Sequence, residues 1–172
     1  MRPGFALTSM VIALLGVSPN ALVADDSKDK KESAKIELKT ATVAEIEKHV
    51  ASQKGKPVAM DVWATWCVPC REKFPKFVAL AGKLKDNASF FSLTIDEEDA
   101  IADAKKFLEK SKATFANFHA KDGAEAIEKK FGFEGVPQYV VWEDGKIVLR
   151  TNDVVKLEEK LKELLPPKKE EK

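Results

Sequence analysis

The chain has 172 residues, enough for one ordinary domain, and its 44% hydrophobic and 33% charged residues are a normal globular balance. Its 29 Lys and Arg against 28 Asp and Glu leave a net charge of +1. That near-neutrality excludes the broad electrostatic field that would gather nucleic acid or an anionic membrane.

The N-terminus carries no charge between Arg2 and Asp25. Met10 to Val17 is an apolar core, Ser18-Pro19-Asn20 breaks it, and Leu22-Val23-Ala24 offers a small residue before a cut. This layout predicts a secretory signal peptide over 1–24, and hence an exported, periplasmic or extracytoplasmic protein. The rival is a retained membrane anchor. The apolar core is short for a span, which takes ~20 apolar residues, and Pro19 and Asn20 weaken it further. Residues 25–35 are charged and lack large apolar side chains, as a solvated linker does, and 166–172 form a charged tail after Pro166-Pro167.

Between these ends, residues 36–165 alternate strand and helix patterns. Ile36 to Leu38 predicts a short strand. Thr42 and Glu45 have capping-box spacing, with Val43, Ile46 and Val50 at helical intervals behind them. Val58 to Trp63 predicts a strand. A helix from Cys67 to about Lys85 carries Phe74, Phe77, Val78, Ala81 and Leu84 on one face, with Pro75 inside it. Ser89 to Ile95 predicts a strand, and Glu97-Glu98-Asp99 opens a helix whose buried stripe is Ile101, Ala104 and Leu108. Thr114 to Phe118 predicts another strand. Asp122 and Glu125 repeat the capping spacing ahead of Ile127 and Phe131, with Gly132 closing the helix. Val136 to Trp142 and Lys146 to Arg150 predict a hairpin turned by Asp144-Gly145, followed by a helix with Leu157, Leu161 and Leu164. The pattern predicts an α/β fold, a mixed sheet with helices on both faces.

The only two cysteines, Cys67 and Cys70, stand three positions apart in Trp63-Ala64-Thr65-Trp66-Cys67-Val68-Pro69-Cys70, directly after a strand and at the start of a helix. Unpaired backbone N–H groups and the positive end of the helix dipole favour a thiolate there, and Cys-x-x-Cys thiols at such sites titrate at ~3.5–7.5. Pro69 suits a first helical turn. The spacing predicts Cys67 as the attacking thiol and Cys70, one turn deeper, as the resolving one. Asp61 interrupts the otherwise apolar Met60 to Trp63; a buried acid below the cysteine helix would have a raised pKa, could trade a proton near neutrality and could take that of Cys70. Trp66 is expected at the surface beside Cys67. Three alternatives compete: a structural disulfide, a zinc site and inert buried thiols. The loop is too small for much entropic stabilisation, His49 and His119 have no paired ligand spacing, and a helix start is a poor place for inert thiols. Both histidines are expected at the surface without a role, His49 near the end of its helix and His119 in a loop.

These residues resemble the active site of thioredoxin-like proteins, most closely the exported TlpA/ResA-type thiol-disulfide oxidoreductases with Trp-Cys-x-Pro-Cys and a following basic residue, here Arg71. The likeness covers roughly 36–165. It implies a thioredoxin-like fold with a strand–helix insertion over about Ser89 to Ala120, and a buried acid at Asp61. It further implies a cis proline at Pro137 beside Cys67 that leaves the Val136 backbone free to pair with a substrate strand and keeps stray metal off the thiols. It implies no cofactor or metal besides the redox-active disulfide, protein thiols or disulfides as substrates, and a membrane electron donor that keeps the protein reducing, with cytochrome c maturation as a setting. Gln138, Trp142 and Thr151-Asn152-Asp153 depart from the family pattern and bear on substrate fit. The competing functional class is a copper-handling or chaperone-like binding module on the same fold, since exported Cys pairs suit Cu(I).

Overall fold

The computed structural model describes residues 36–165. The expected signal segment, linker and C-terminal tail lie outside the described residues. Six strands form one mixed sheet: β1 (Leu38–Ala41), β2 (Val58–Trp63), β3 (Ser89–Thr94), β4 (Ala116–Ala120), β5 (Gln138–Glu143) and β6 (Lys146–Thr151). Their spatial order is β1-β4-β3-β2-β5-β6. The first four run parallel; β5 pairs antiparallel with β2, and β6 pairs antiparallel with β5. Five helices cover the sheet: α1 (Val43–Ser52), α2 (Val68–Leu84), α3 (Ile101–Ser111, after a 3-10 turn at Glu98–Ala100), α4 (Gly123–Phe131) and α5 (Val154–Leu164).

Local chemistry explains most boundaries. Thr42 caps α1 in a complete capping box, its hydroxyl receiving the Glu45 N–H while the Glu45 carboxylate accepts from the Thr42 N–H at 2.8 Å. Asp144 and Gly145 both take positive φ, 48° and 77°, as the tight β5–β6 turn requires. Central strands β2 and β5 are buried along almost their whole length, the mark of a sheet covered on both faces. Helices α2, α3 and α5 pack on one face and α1 with α4 on the other. One core joins Trp63, Phe74, Leu108, Ile46, Ile127 and the two cysteines; a second joins Phe77, Leu80, Tyr139, Leu157 and Leu161.

Three strand expectations are displaced. The first strand is Leu38–Ala41 rather than Ile36 to Leu38, and the fourth is Ala116–Ala120 rather than Thr114 to Phe118. The two pair with each other, Thr40 opposite His119, so their shared register sets both extents. The fifth strand begins at Gln138, two residues after Val136, because Pro137 has no N–H to give the ladder. Asp122 precedes its helix as expected but makes no cap to it; its Oδ2 accepts from the Val43 N–H of α1 at 2.7 Å.

Candidate active site

Strand β2 delivers the chain to the C-terminal end of the parallel strands, where Ala64 to Trp66 turn it into α2. The turn closes with Cys67 N–H donating to Ala64 O at 3.2 Å. Cys67 is the N-cap of α2, whose first residue is Val68 rather than Cys67 itself. Its Sγ accepts the Cys70 N–H at 3.2 Å, so a free N–H of the first helical turn points at the sulfur. Cys67 and Cys70 are joined in a disulfide with S–S 2.03 Å. Cys67 is 5% and Cys70 1% exposed, so both residues are buried. Trp66 is 65% and Val68 54% exposed, an apolar rim next to the disulfide.

Asp61 lies in the middle of β2, fully surrounded. Burial drives its carboxyl well above its ordinary value of 3.8, and the Lys73 ammonium only partly offsets this. Lys73 is one turn beyond Cys70 on α2, and its Nζ donates to Asn152 O at 2.9 Å. Directly opposite Asp61 on β5 stands Tyr139, whose hydroxyl is also driven upward, by burial first and then by the negative charges of Asp61 and Asp153. Pro137 is buried one residue beyond Gln138, which pairs with Val62; this places the cis bond beside the end of β2 that leads to the cysteines. Val136 packs against the core cluster that contains Cys67 and Cys70. The topology thus brings Cys67, Cys70, Trp66, Val136 and Pro137 to one end of the sheet, with Asp61 two residues further back in β2 than Trp63.

The histidines depart from expectation. His119 is on β4 and buried at 4% exposure, its Nε2 2.8 Å from Asp96 O. His49 is half-buried, its ring edge-on to Phe91 and Phe118 with centroids 5.0 Å away in each case, and burial lowers its pKa from 6.5. Neither reaches the cysteines' cap interaction. Among the described residues no group of three or more His, Cys, Asp and Glu side chains is placed to hold a metal ion.

Sequence reasoning passed over Asp96, Thr65 and Tyr139. Asp96 ends the apolar run of β3, and an acid there with 3% exposure needs donors. It finds them in the Thr65 N–H and hydroxyl, 2.9 and 2.7 Å from Oδ1, and in the Thr94 hydroxyl. The available signal was the same one that singled out Asp61: an acid adjoining an otherwise apolar strand.

A family profile for redoxins matches residues 25–165. The thiol-disulfide oxidoreductase ResA of Bacillus thuringiensis subsp. konkukian is 30% identical over 154 residues, spanning 87% of this chain and 77% of ResA. The solution structure of a thiol:disulfide interchange protein from Bacteroides sp. has the same fold, with a TM-score of 0.60 at 23% identity over 70% of this chain and 80% of that one. The crystal structure of a secreted Mycobacterium tuberculosis disulfide oxidoreductase, homologous to E. coli DsbE, gives a TM-score of 0.55 at 21% identity over 66% of this chain and 86% of that one. Profile, relative and fold agree, and the chain belongs to the redoxin family as a thioredoxin-like thiol-disulfide oxidoreductase of the TlpA/ResA type.

Proposed function

We propose that this protein works outside the cytoplasm as a reductant of disulfides in target proteins. The observation that carries the reading is the Cys70 N–H aimed at Cys67 Sγ from the first turn of α2. In the reduced protein the same N–H and the helix dipole favour a Cys67 thiolate. That thiolate attacks one sulfur of a target disulfide; a mixed disulfide forms and the other target sulfur leaves as a thiolate. Cys70 then attacks Cys67 Sγ, closing the Cys67–Cys70 bond and releasing the second target thiol. Asp61, below Cys70, takes the Cys70 proton in this step, as its raised pKa suits. Two electrons pass to the target, whose two thiolates take up one proton by way of Asp61 and one from solvent, and a dithiol donor at the membrane restores the pair. The disulfide is the sole redox centre required.

The exposed Trp66 rim and the Val136-Pro137 backbone support docking of an extended target segment, with Val136 adding a strand-like pairing. Export rests on the signal layout of residues 1–24. Among the described residues no helix is long and apolar enough to cross a membrane. Apocytochrome c disulfides are the substrate class that fits a ResA-like reductant.

Insulin reduction tests the activity: the wild type is active and Cys67→Ser inactive, and equal rates would remove the reading. Redox titration tests the direction. A potential near the thioredoxin value of ~−270 mV supports a reductant, and one above about −150 mV makes the protein an oxidant. Copper titration of the reduced protein, with and without Cys67→Ser, tests the binding-module alternative.

A further inference from the structure

A chain of hydrogen-bonded polar groups, buried at His119, Asp96 and Thr94, half-buried at Thr65 and exposed at Thr40, runs from the edge of the sheet to the redox turn without touching either sulfur. Thr40 on β1, His119 on β4, Asp96 just after β3 and Thr65 just after β2 follow the spatial order of the strands. The Asp96 carboxylate holds Thr65 by both of its donors: the N–H at 2.9 and 3.1 Å to the two oxygens, and the hydroxyl at 2.7 Å to Oδ1. The Thr94 hydroxyl donates to Oδ2, and the Asp96 N–H returns to Thr94 Oγ1 at 3.3 Å. On the other side, Asp96 O is 2.8 Å from His119 Nε2. A carbonyl only accepts, so Nε2 carries the ring proton and Nδ1 is left to accept from the Thr40 hydroxyl at 3.4 Å. Bonds to a carboxylate are the stronger kind, and here three donors converge on one.

The held residue matters because of where it sits. Thr65 is the second residue of the four-residue turn that Cys67 N–H closes onto Ala64 O. The start of the turn is fastened to the sheet by Ile95 N–H donating to Trp63 O at 3.0 Å. The Thr65–Asp96 pair adds a second fastening, two residues before Cys67.

We infer that Asp96 is a positioning residue of the redox couple: by clamping Thr65 it holds Cys67 where its sulfur meets that of Cys70, and Thr94, His119 and Thr40 hold Asp96 in turn. This rests on the reading of Cys67–Cys70 as a cycling pair. In the dithiol form the clamp restricts the excursions of Cys67 and keeps one thiol at high effective concentration around the other. The disulfide is thereby favoured over the dithiol and the reduction potential is lowered. Without the clamp the fold survives, but the dithiol gains freedom that the disulfide does not, and the potential rises.

The test is a set of redox titrations of the full chain in glutathione buffers, where one protein disulfide and two glutathione thiols give one protein dithiol and one glutathione disulfide. Thr65→Ser keeps both donors and is expected to titrate with the wild type. Thr65→Val and Asp96→Asn are expected to lower the effective concentration about tenfold, a rise of about 30 mV for a two-electron couple. Melting is measured on each variant in both redox forms. Equal destabilisation of the two forms, with the potential unmoved, overturns the clamp, and so does a lowered potential. A wild type that does not cycle removes the redox reading itself; a wild type that cycles with variants sharing its potential removes the clamp alone. Should Asp96→Asn fail to fold, the Thr65 pair decides.

Discussion

Asp61 stands directly opposite Tyr139 across the antiparallel β2–β5 pair, and each presents a buried side-chain oxygen with no hydrogen-bond partner among the described residues. Directly paired residues share a sheet face, so the acid and the phenol occupy the same layer beneath α2 and α5. Two orphaned oxygens in one layer cost the fold free energy.

For Tyr139 the consequence is a stability test. Tyr139→Phe keeps the ring stacked on Phe77, 5.8 Å between centroids, and deletes the unsatisfied hydroxyl. Denaturant melts are expected to show a gain of up to about 1–2 kcal/mol. A loss larger than about 1 kcal/mol would show that the hydroxyl has a partner in solution.

For Asp61 the consequence depends on pH. Below 3.8 the carboxyl is protonated in folded and unfolded chains alike and the residue is neutral in both. As pH rises, the unfolded chain releases its proton first, and the folded chain keeps its proton up to the raised pKa. Stability falls across that window. Asp61→Asn is therefore expected to be more stable than the wild type at pH 8, with the difference vanishing at about pH 3, by chemical denaturation at both. The same variant is expected to resolve mixed disulfides about 10²-fold more slowly, within the usual contribution of a general base.

His49 has the opposite sign. Its folded pKa lies below 6.5 through burial, so above 6.5 the ring is neutral in both states. As pH falls, the unfolded chain takes up a proton before the folded one, and stability is lost down to the folded pKa. His49→Leu is expected to flatten the melting temperature between about pH 6.5 and pH 5.

Trp66 and Phe74 separate surface from core. Trp66→Ala is expected to leave stability within about 0.5 kcal/mol while cutting kcat/KM for a protein disulfide about tenfold and sparing a small disulfide such as oxidised glutathione. Phe74 is fully buried among Trp63, Phe77 and Phe107, so Phe74→Ala is expected to cost about 3–5 kcal/mol in urea melts.

What the sequence disclosed was whatever neighbouring residues decide among themselves. The β2 strand, the Thr42 capping box and the Asp144-Gly145 turn occur as read, because each is settled within a few residues. The cysteine spacing likewise located the disulfide. The β1 and β4 limits depend on pairing between segments 79 residues apart, as Thr40 and His119 are, and local pattern carries no trace of that. His119 illustrates the cost: a polar residue near a short apolar run reads as loop, yet the Asp96 carbonyl just after β3 and the Thr40 hydroxyl on β1 supply its ring nitrogens with partners and it is buried. Asp122 was read as capping its own helix, but its carboxylate serves α1 instead, a choice made only once the chain has folded back.

That Asp122 bond has a further effect. Together with the Lys130–Glu47 ion pair at 2.6 Å, it stitches α1 to α4 on the sheet face opposite α2, while Lys121 N–H to Ala41 O at 2.9 Å joins the ends of β4 and β1. Amide hydrogen exchange should report α1 and α4 opening together as one cooperative unit. The redox chemistry then takes place on the far side of a backing plate that need not flex when a target is bound and released.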